Sequence, residues 1–278
     1  MADQGHYGQL AKDKSRQGTY LFTADGTFLA SINTLSANLI LDTMKQGLVK
    51  WRGLPAADRE PNQKSKSQST SRRFEHLYPS DGLVLSVYAR DLTARPRPDT
   101  MRLPTWNRDS AWFSKEEAEK LIPDNANVGD RFPMPAFFVQ RLSKLHVVDS
   151  VKGQTEAFTN EEVAESTVTA VVVSKRDDRV RLELSGSTKG IHETGQFQRG
   201  VETKLMGKAT FDIDTKRFSQ FEFIAIGERW GMTKFNDREK ELDRSSIGYS
   251  FELAEPDDDI VVPGIIWSYD APWMKNSK

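Results

Sequence analysis

The chain of 278 residues contains no cysteine. This absence excludes disulfide bonds, thiolate zinc sites, iron–sulfur clusters, thiol nucleophiles and redox-active CxxC pairs. The four histidines stand too far apart for an HExxH motif or another short metal-binding signature: His6, His76, His146 and His192. We therefore expect neither a metal site nor a cofactor.

Long apolar segments are also absent. No stretch approaches the ~18 consecutive apolar residues of a membrane-spanning helix, so we expect no membrane span. Residues 1–17 are polar and lack the apolar core of a signal peptide. The sequence therefore predicts a soluble, cytoplasmic protein if Met1 is the true start. An extracytoplasmic location is expected instead if a signal peptide and further residues precede Met1.

The motifs of several common chemistries are missing as well. There is no GxSxG nucleophile elbow and no dinucleotide fingerprint after a strand. The charges nearly balance, with 39 basic and 40 acidic residues. A basic stretch from Lys64 to Arg73 is rich in Ser and Gln and has a single aromatic, Phe74, at its end. Nucleic-acid sites usually interleave aromatic and basic residues, so we expect no nucleic-acid partner.

The sequence predicts a small hairpin-helix unit at residues 1–52. Residues 19–23 and 28–32 are rich in β-formers, and Asp25-Gly26 between them is a hairpin signal. Apolar residues then recur at helical spacing: Leu41, Met44, Leu48 and Trp51. Residues 53–81 are expected to be a linker, because Gln63 to Ser71 contains no apolar residue.

Residues 82–278 are predicted to form the main domain. Ser114 and Glu117 form a capping box at the start of a short helix, and Pro135 begins a second one. Period-two segments joined by polar turns follow: 167–174 with 180–185, 205–213 with 218–226, and a last strand at 247–253. We expect an α+β fold, in which a half-open sheet or partial barrel of antiparallel strands carries two or three helices on one face.

Several segments of this domain resemble a group of bacterial proteins, without assigned chemistry, in which an antiparallel β domain follows a thioredoxin-like domain. The resemblance covers most of residues 80–255 and rests on five segments: Trp106-Asn107-Arg108-Asp109 with Trp112, Val128 to Pro133, Leu145 to Asp149, Gly207 to Asp212, and Gly227 to Gly231. It implies that residues 1–52 are similar to the C-terminal half of a thioredoxin-like domain. Because the chain has no CxxC pair, the redox function of that domain does not carry over.

Two indoles, a cation and a carboxylate lie within seven residues of one another: Trp106, Trp112, Arg108 and Asp109. Such a segment is typical of a recognition loop in which indole faces and a guanidinium hold a ligand. In the alternative interpretation, both tryptophans anchor the loop to the core and Asp109 pairs with Arg108 or caps a turn.

A second candidate site is Gly227-Glu228-Arg229-Trp230-Gly231, which closes a predicted strand. Its glycines permit a sharp bend that would turn Glu228, Arg229 and Trp230 into a cleft. Glu228 and Arg229 could equally pair with each other at the strand end. His146, at the end of an apolar helical stripe, would be a general base only if Asp149 or another carboxylate oriented its ring beside a cleft, and otherwise a structural histidine.

The sequence favours a non-enzymatic accessory module that binds an apolar or mixed small ligand, or a protein partner, near Trp106 and Trp230. The binding set comprises Trp106, Arg108, Trp112, Arg229 and Trp230. The alternative is a hydrolase-like acid–base enzyme that uses Glu228 or Asp109 with His146. The two hypotheses differ in whether those three ionisable residues share one cleft.

Overall fold

The computed structural model describes residues 18–24, 26–34, 36–59, 74–93, 106–255 and 258–275. The chain forms two compact units, which divide between Arg72 and Arg73. The basic stretch from Lys64 to Arg73 in the predicted linker lies outside the described residues.

The first unit is a hairpin with a helix against it. Strands β1 (Thr19–Phe22) and β2 (Phe28–Ile32) are antiparallel, followed by helices α1 (Ala37–Gly53) and α2 (Ala56–Arg59). The predicted hairpin is confirmed, although Asp25 of its turn lies outside the described residues. Lys50 Nζ of α1 donates a hydrogen bond to the Leu29 carbonyl at 2.8 Å.

The second unit contains one eight-stranded antiparallel sheet, in the order β4-β3-β10-β9-β8-β7-β6-β5. Its strands are β3 (Leu83–Asp91), β4 (Trp106–Phe113), β5 (Arg131–Pro133), β6 (Val163–Arg176), β7 (Arg179–His192), β8 (Arg199–Asp212), β9 (Arg217–Gly231) and β10 (Ser245–Leu253). β4 and β5 are the edge strands, so the sheet does not close into a barrel. The predicted α+β class with an antiparallel sheet is confirmed.

The helices of the second unit are short. They are α3 (Lys115–Glu119), α4 (Ala136–Arg141) and α5 (Pro272–Lys275). The predicted capping box of α3 is present, with Ser114 and Glu117 each accepting a hydrogen bond from the other's backbone N–H. α4 continues as a π-helical turn, Leu142–His146, so the helix reaches the predicted end at His146.

Alternation along the strands gives the sheet two different faces. The inner face carries the main core, for example Val87 of β3, Phe251 of β10, and Phe223 and Ala225 of β9. The outer face carries the alternate residues of the same strands, for example Ile224 of β9, which is exposed. In the described part of the chain, no helix combines the length and apolar character needed to cross a membrane.

Two segments differ from the sequence-based expectation. Trp106 to Phe113, predicted as a recognition loop, is edge strand β4 and pairs with β3 along its whole length. The sharp bend predicted for the segment Gly227 to Gly231 does not take Glu228, Arg229 and Trp230 out of the sheet, because β9 continues to Gly231, where φ is +70°. Gly227 is required for close approach instead, since a Cβ there would overlap the Glu202 carbonyl oxygen of β8.

Candidate functional site

Asp109 and His146, proposed as an acid–base pair, are in direct contact. Asp109 Oδ2 lies 2.8 Å from His146 Nδ1, and the Tyr269 hydroxyl lies 2.9 Å from His146 Nε2. The Tyr269 oxygen also accepts the backbone N–H of Trp112 at 3.2 Å. All of these bonds are satisfied when the imidazole is neutral, donates from Nδ1 to the carboxylate and accepts at Nε2 from the tyrosine.

This array is closed to substrate. The His146 side chain has 0% of its surface exposed, and both ring nitrogens are already bonded within the protein. Burial raises the pKa of Tyr269 above its ordinary value, and the charge of Asp109 adds to the effect, although the Trp112 backbone bond opposes it. A general base must reach a substrate proton, so the arrangement supports a structural role for His146.

The other proposed carboxylate, Glu228, lies elsewhere. It is on the outer face of β9, where Arg244 Nη1 contacts its Oε2 at 2.9 Å, and its side chain is half exposed. Asp109 and His146 are thus brought together, whereas Glu228 is not part of their array.

A buried ion-pair network lies beneath the sheet end and was not predicted from the sequence. Arg238 is fully buried and donates to Asp91 and to Asp149 at 2.7 Å each, and to Glu241 also at 2.7 Å. Burial alone would lower the pKa of Arg238, but the hydrogen bonds and charges of Asp91 and Asp149 raise it overall. Arg238 stands in a charged loop with no periodicity, so no pattern distinguished it from solvated residues.

Two members of the predicted binding set are buried. The Trp112 side chain is fully buried, with its indole N–H donating to Ser110 Oγ at 2.9 Å and Tyr78 packed edge-on against its ring. Arg229, 2% exposed, donates to the backbone carbonyl and the carboxylate of Glu241 in the ion-pair network. Neither side chain has surface available to a ligand, which agrees with the anchoring interpretation of Trp112.

Trp106, Arg108 and Trp230 lie on the outer face. Trp106 is 56% exposed and its ring lies 6.4 Å from that of Tyr88, while the Arg108 guanidinium stands 5.9 Å from the Tyr88 ring. Trp230 is half-buried: it is directly paired with Gly200 of β8, and Arg244 lies 4.0 Å over its ring.

Strand register joins Trp106 and Arg108 to a larger exposed surface. Two neighbouring rows of directly opposed outer-face residues cross β4, β3, β10, β9 and β8; we call them the outer band. The rows are Trp106, Arg90, Gly248, Ile226 and Lys204, and Arg108, Tyr88, Ser250, Ile224 and Met206. Ile224, Ile226 and Met206 are 39%, 50% and 62% exposed.

No family model, curated protein or solved structure matches this chain. The resemblance to bacterial proteins with a thioredoxin-like domain therefore stays a prediction. Among the described residues, no group of three or more His, Asp and Glu side chains is arranged to hold a metal ion.

The charges of the outer face are mostly paired across strands. Lys208 contacts Glu222 at 3.3 Å, and Lys189 contacts Glu202 at 3.0 Å. Within the described ranges, Arg90 and Lys204 form no ion pair. The outer band thus combines exposed apolar side chains with two cations that have no carboxylate partner there. Sequence reasoning identified Trp106 but missed Ile224, Ile226 and Met206, because only the register shows that they share these two rows of the outer face.

Proposed function

We propose that the second unit is a non-enzymatic binding module whose outer band docks a protein partner. The observation that carries this proposal is the exposure of Trp106, Ile226 and Met206 in two adjacent rows of one sheet face. Ile224, Ile226 and Met206 are neighbours in these rows, and adjoining exposed apolar side chains of this kind often mark an interaction site.

The size of the surface favours a macromolecule over a small ligand. Trp106 and Trp230 share the outer face but are three strands and four residues apart, a separation of about 20 Å from ordinary strand spacings. Small-molecule sites are concave and enclose most of their ligand. An exposed face of this extent instead suits a partner that contacts many residues at once.

Charge indicates the chemistry of the partner. Arg90 and Lys204 stand on the two sides of Ile226 in one row of the outer band, with Gly248 between Arg90 and Ile226, whereas the nearby carboxylate of Glu222 is already paired. We infer a partner surface with an apolar centre and carboxylates at its margin, since such charges fix orientation and speed encounter.

We also infer that α3 and α4 cover the inner face and leave the outer band open, whereas α5 packs in a separate cluster with the outer-face residues Trp112 and Val84. Contacts of Phe138 in α4 support this arrangement, because its ring lies 5.0 Å from Phe113 and 5.9 Å from Phe221, both on the inner face. The acid–base alternative is not favoured, because the His146 side chain is enclosed.

Site-specific photo-crosslinking in the source cells tests the proposal. A photoreactive amino acid placed at Trp106 or Ile226 is expected to yield one discrete protein adduct. The same amino acid at Val173, an exposed apolar residue of β6, is the control and should not yield that adduct. Adding Arg90→Glu to the Ile226 variant should reduce the adduct, because a carboxylate would repel the acidic margin of the partner.

Two results would contradict the proposal. Equal adducts from Val173 and Ile226 would indicate random collision. The absence of a protein adduct, together with a small-molecule mass bound in native mass spectrometry, would favour the apolar-ligand hypothesis instead.

A further inference from the structure

A groove separate from the outer band runs along the opposite edge of the sheet. It has a volume of about 580 Å³, which is within the range of ligand sites, and lies between β6 and α4. We call it the edge groove. Its lining includes Pro133, Pro135 and Val139 on the helix side, and Val163, Ser166 and Thr167 on the strand side.

Part of β6 lacks a neighbouring strand on the groove side. β5 pairs only with residues 169–171 of β6, and the Met134 N–H adds one bond to the Val168 carbonyl at 2.8 Å. Over the described ranges, no strand lies beside residues 163–167 at this edge. Exposed edges of this kind are templates for pairing with another chain.

The direction of the backbone at Ser166 follows from that Met134 bond. In an antiparallel strand the N–H and C=O of one residue point to the same side, and alternate residues repeat the direction. The Val168 carbonyl points away from β7, toward Met134. Because the pairing with β7 is regular from 165 to 172, both the N–H and the C=O of Ser166 also point away from β7. A donor and an acceptor therefore face the groove side by side.

The groove also has a fixed charge. Lys144 is the one ionisable residue in its lining, and its Nζ donates to Asn160 Oδ1 at 2.7 Å. The carboxylate of Glu161 is close enough to interact electrostatically with Lys144, but Glu161 does not line the groove. The groove thus presents a cation at one side of an otherwise uncharged lining.

The geometry points to the edge groove as a binding site for an extended peptide that pairs with β6 at Ser166 and places a carboxylate on Lys144. A second backbone is the ligand that matches an adjacent N–H and C=O, and alternate peptide side chains would enter the groove over Val139 and Pro135. The carboxylate is supplied by an acidic side chain or by the peptide's C-terminus.

The test begins with a library of random short peptides selected on the full chain. The enriched peptides are expected to carry Asp, Glu or a free C-terminal carboxylate. One enriched peptide, labelled with a fluorophore, then serves as the probe in anisotropy titrations. Lys144→Gln should weaken its binding about tenfold, since a hydrogen bond to a charged group is lost. Lys208→Gln, on the outer face, is the control and should have no effect.

Ser166 provides a matched pair of variants for strand pairing. Ser166→Pro removes the N–H that faces the groove and should weaken peptide binding about tenfold or more, while an edge strand tolerates proline at such a position. Ser166→Ala keeps the N–H and loses only the hydroxyl contact with Ser143, at 2.8 Å, so the affinity should change less than about twofold. An unchanged near-UV circular dichroism spectrum would establish that each variant is folded.

Three results would overturn the inference. One is a selection that enriches no peptide. Another is a probe whose affinity is the same for Ser166→Pro and Ser166→Ala, which would exclude strand pairing. The third is equal binding of carboxylate and amide forms of the probe, which would exclude recognition by Lys144.

Discussion

Two buried tyrosines of the second unit differ in what their hydroxyl groups bind. The Tyr269 hydroxyl joins His146 Nε2 and the Trp112 backbone N–H. The Tyr249 hydroxyl has no hydrogen-bond partner among the described residues, although it is fully buried near Asp149. The same chemical group is therefore satisfied in one place and unsatisfied in the other.

We expect Tyr269→Phe to lower the free energy of unfolding by about 2 kcal/mol or more, because two buried polar groups lose their partner. Tyr249→Phe is the matched control and should be neutral or slightly stabilising, because it removes a buried hydroxyl that has nothing to bind. Urea denaturation of both variants measures the difference. Equal losses would contradict the assigned hydrogen bonds.

Trp230 and Gly200 are coupled across two strands. A Cβ at Gly200 would overlap the Trp230 ring, which covers the glycine on the outer face. Trp230→Ala should cost about 1–2 kcal/mol because the ring is only half-buried. Trp112→Ala, in the core, should cost about 3–5 kcal/mol.

A double-mutant cycle tests this coupling directly. Gly200→Ala should destabilise the wild-type protein by about 1 kcal/mol or more, because the ring must move. In the Trp230→Ala background the same change should cost clearly less. Additive effects would mean that the ring does not rest on Gly200.

The sequence predicted side-chain contacts correctly where the two residues are close together in the chain. The Ser114–Glu117 capping box is local and forms as expected. The Asp109–His146 pair was one of three carboxylate choices for His146, with Asp149 and Glu228, because sequence spacing alone cannot tell which residues a strand and a helix bring together. Tyr269 and Arg238 were missed for the same reason, since their partners come from distant elements.

Among the elements, α3 is tied to its surroundings through one carboxylate. Glu117 accepts two hydrogen bonds from Arg141, at 2.7 and 2.6 Å, and one from the Trp273 indole at 3.1 Å. Burial opposes ionisation of Glu117, but these bonds and the Arg141 charge outweigh it and lower the pKa overall. The same side chain completes the α3 capping box with Ser114.

This lowered pKa gives an acid dependence of stability. The ionised form of Glu117 is favoured in the folded state, so its stabilisation is present above the ordinary glutamate pKa of about 4.3 and is lost as the pH falls below it. Glu117→Gln should be less stable than wild type at neutral pH and lose less stability on acidification. Glu228→Gln, which removes an exposed carboxylate, is the control. Denaturation curves across this pH range should separate the two variants.

Element type was predictable mainly from periodicity. The strands from β6 to β10 alternate apolar and polar residues, and each predicted segment falls largely within an observed strand. β4 was missed because Trp106 to Asp109 are exposed or half-exposed on both faces, so no alternation marks the start of this edge strand. The register between strands could not be predicted from the sequence, and the outer band could therefore not be predicted either.

On the scale of the whole molecule, the chain divides between Arg72 and Arg73. The basic stretch before this boundary contains no apolar residue from Gln63 to Ser71 and so cannot contribute to either core. Trypsin is expected to cut first after Lys64, Lys66, Arg72 or Arg73. The product should be a stable fragment that begins near Phe74 and retains the cooperative unfolding of the second unit. First cleavage inside residues 106–255 would contradict the division.

The strand order also has a consequence for folding during synthesis. β3 has two neighbours in the sheet. One is β4, the next strand along the chain, and the other is β10, the last strand of the sheet to be synthesised. The hairpins from β6 to β9 can close as the nascent chain emerges, whereas β3, which is buried on both faces over Leu83 to Val87, must wait for β10 on one side. A ribosome that stopped before Ser245 would release a chain with most strands present but with β3 exposed and prone to aggregation.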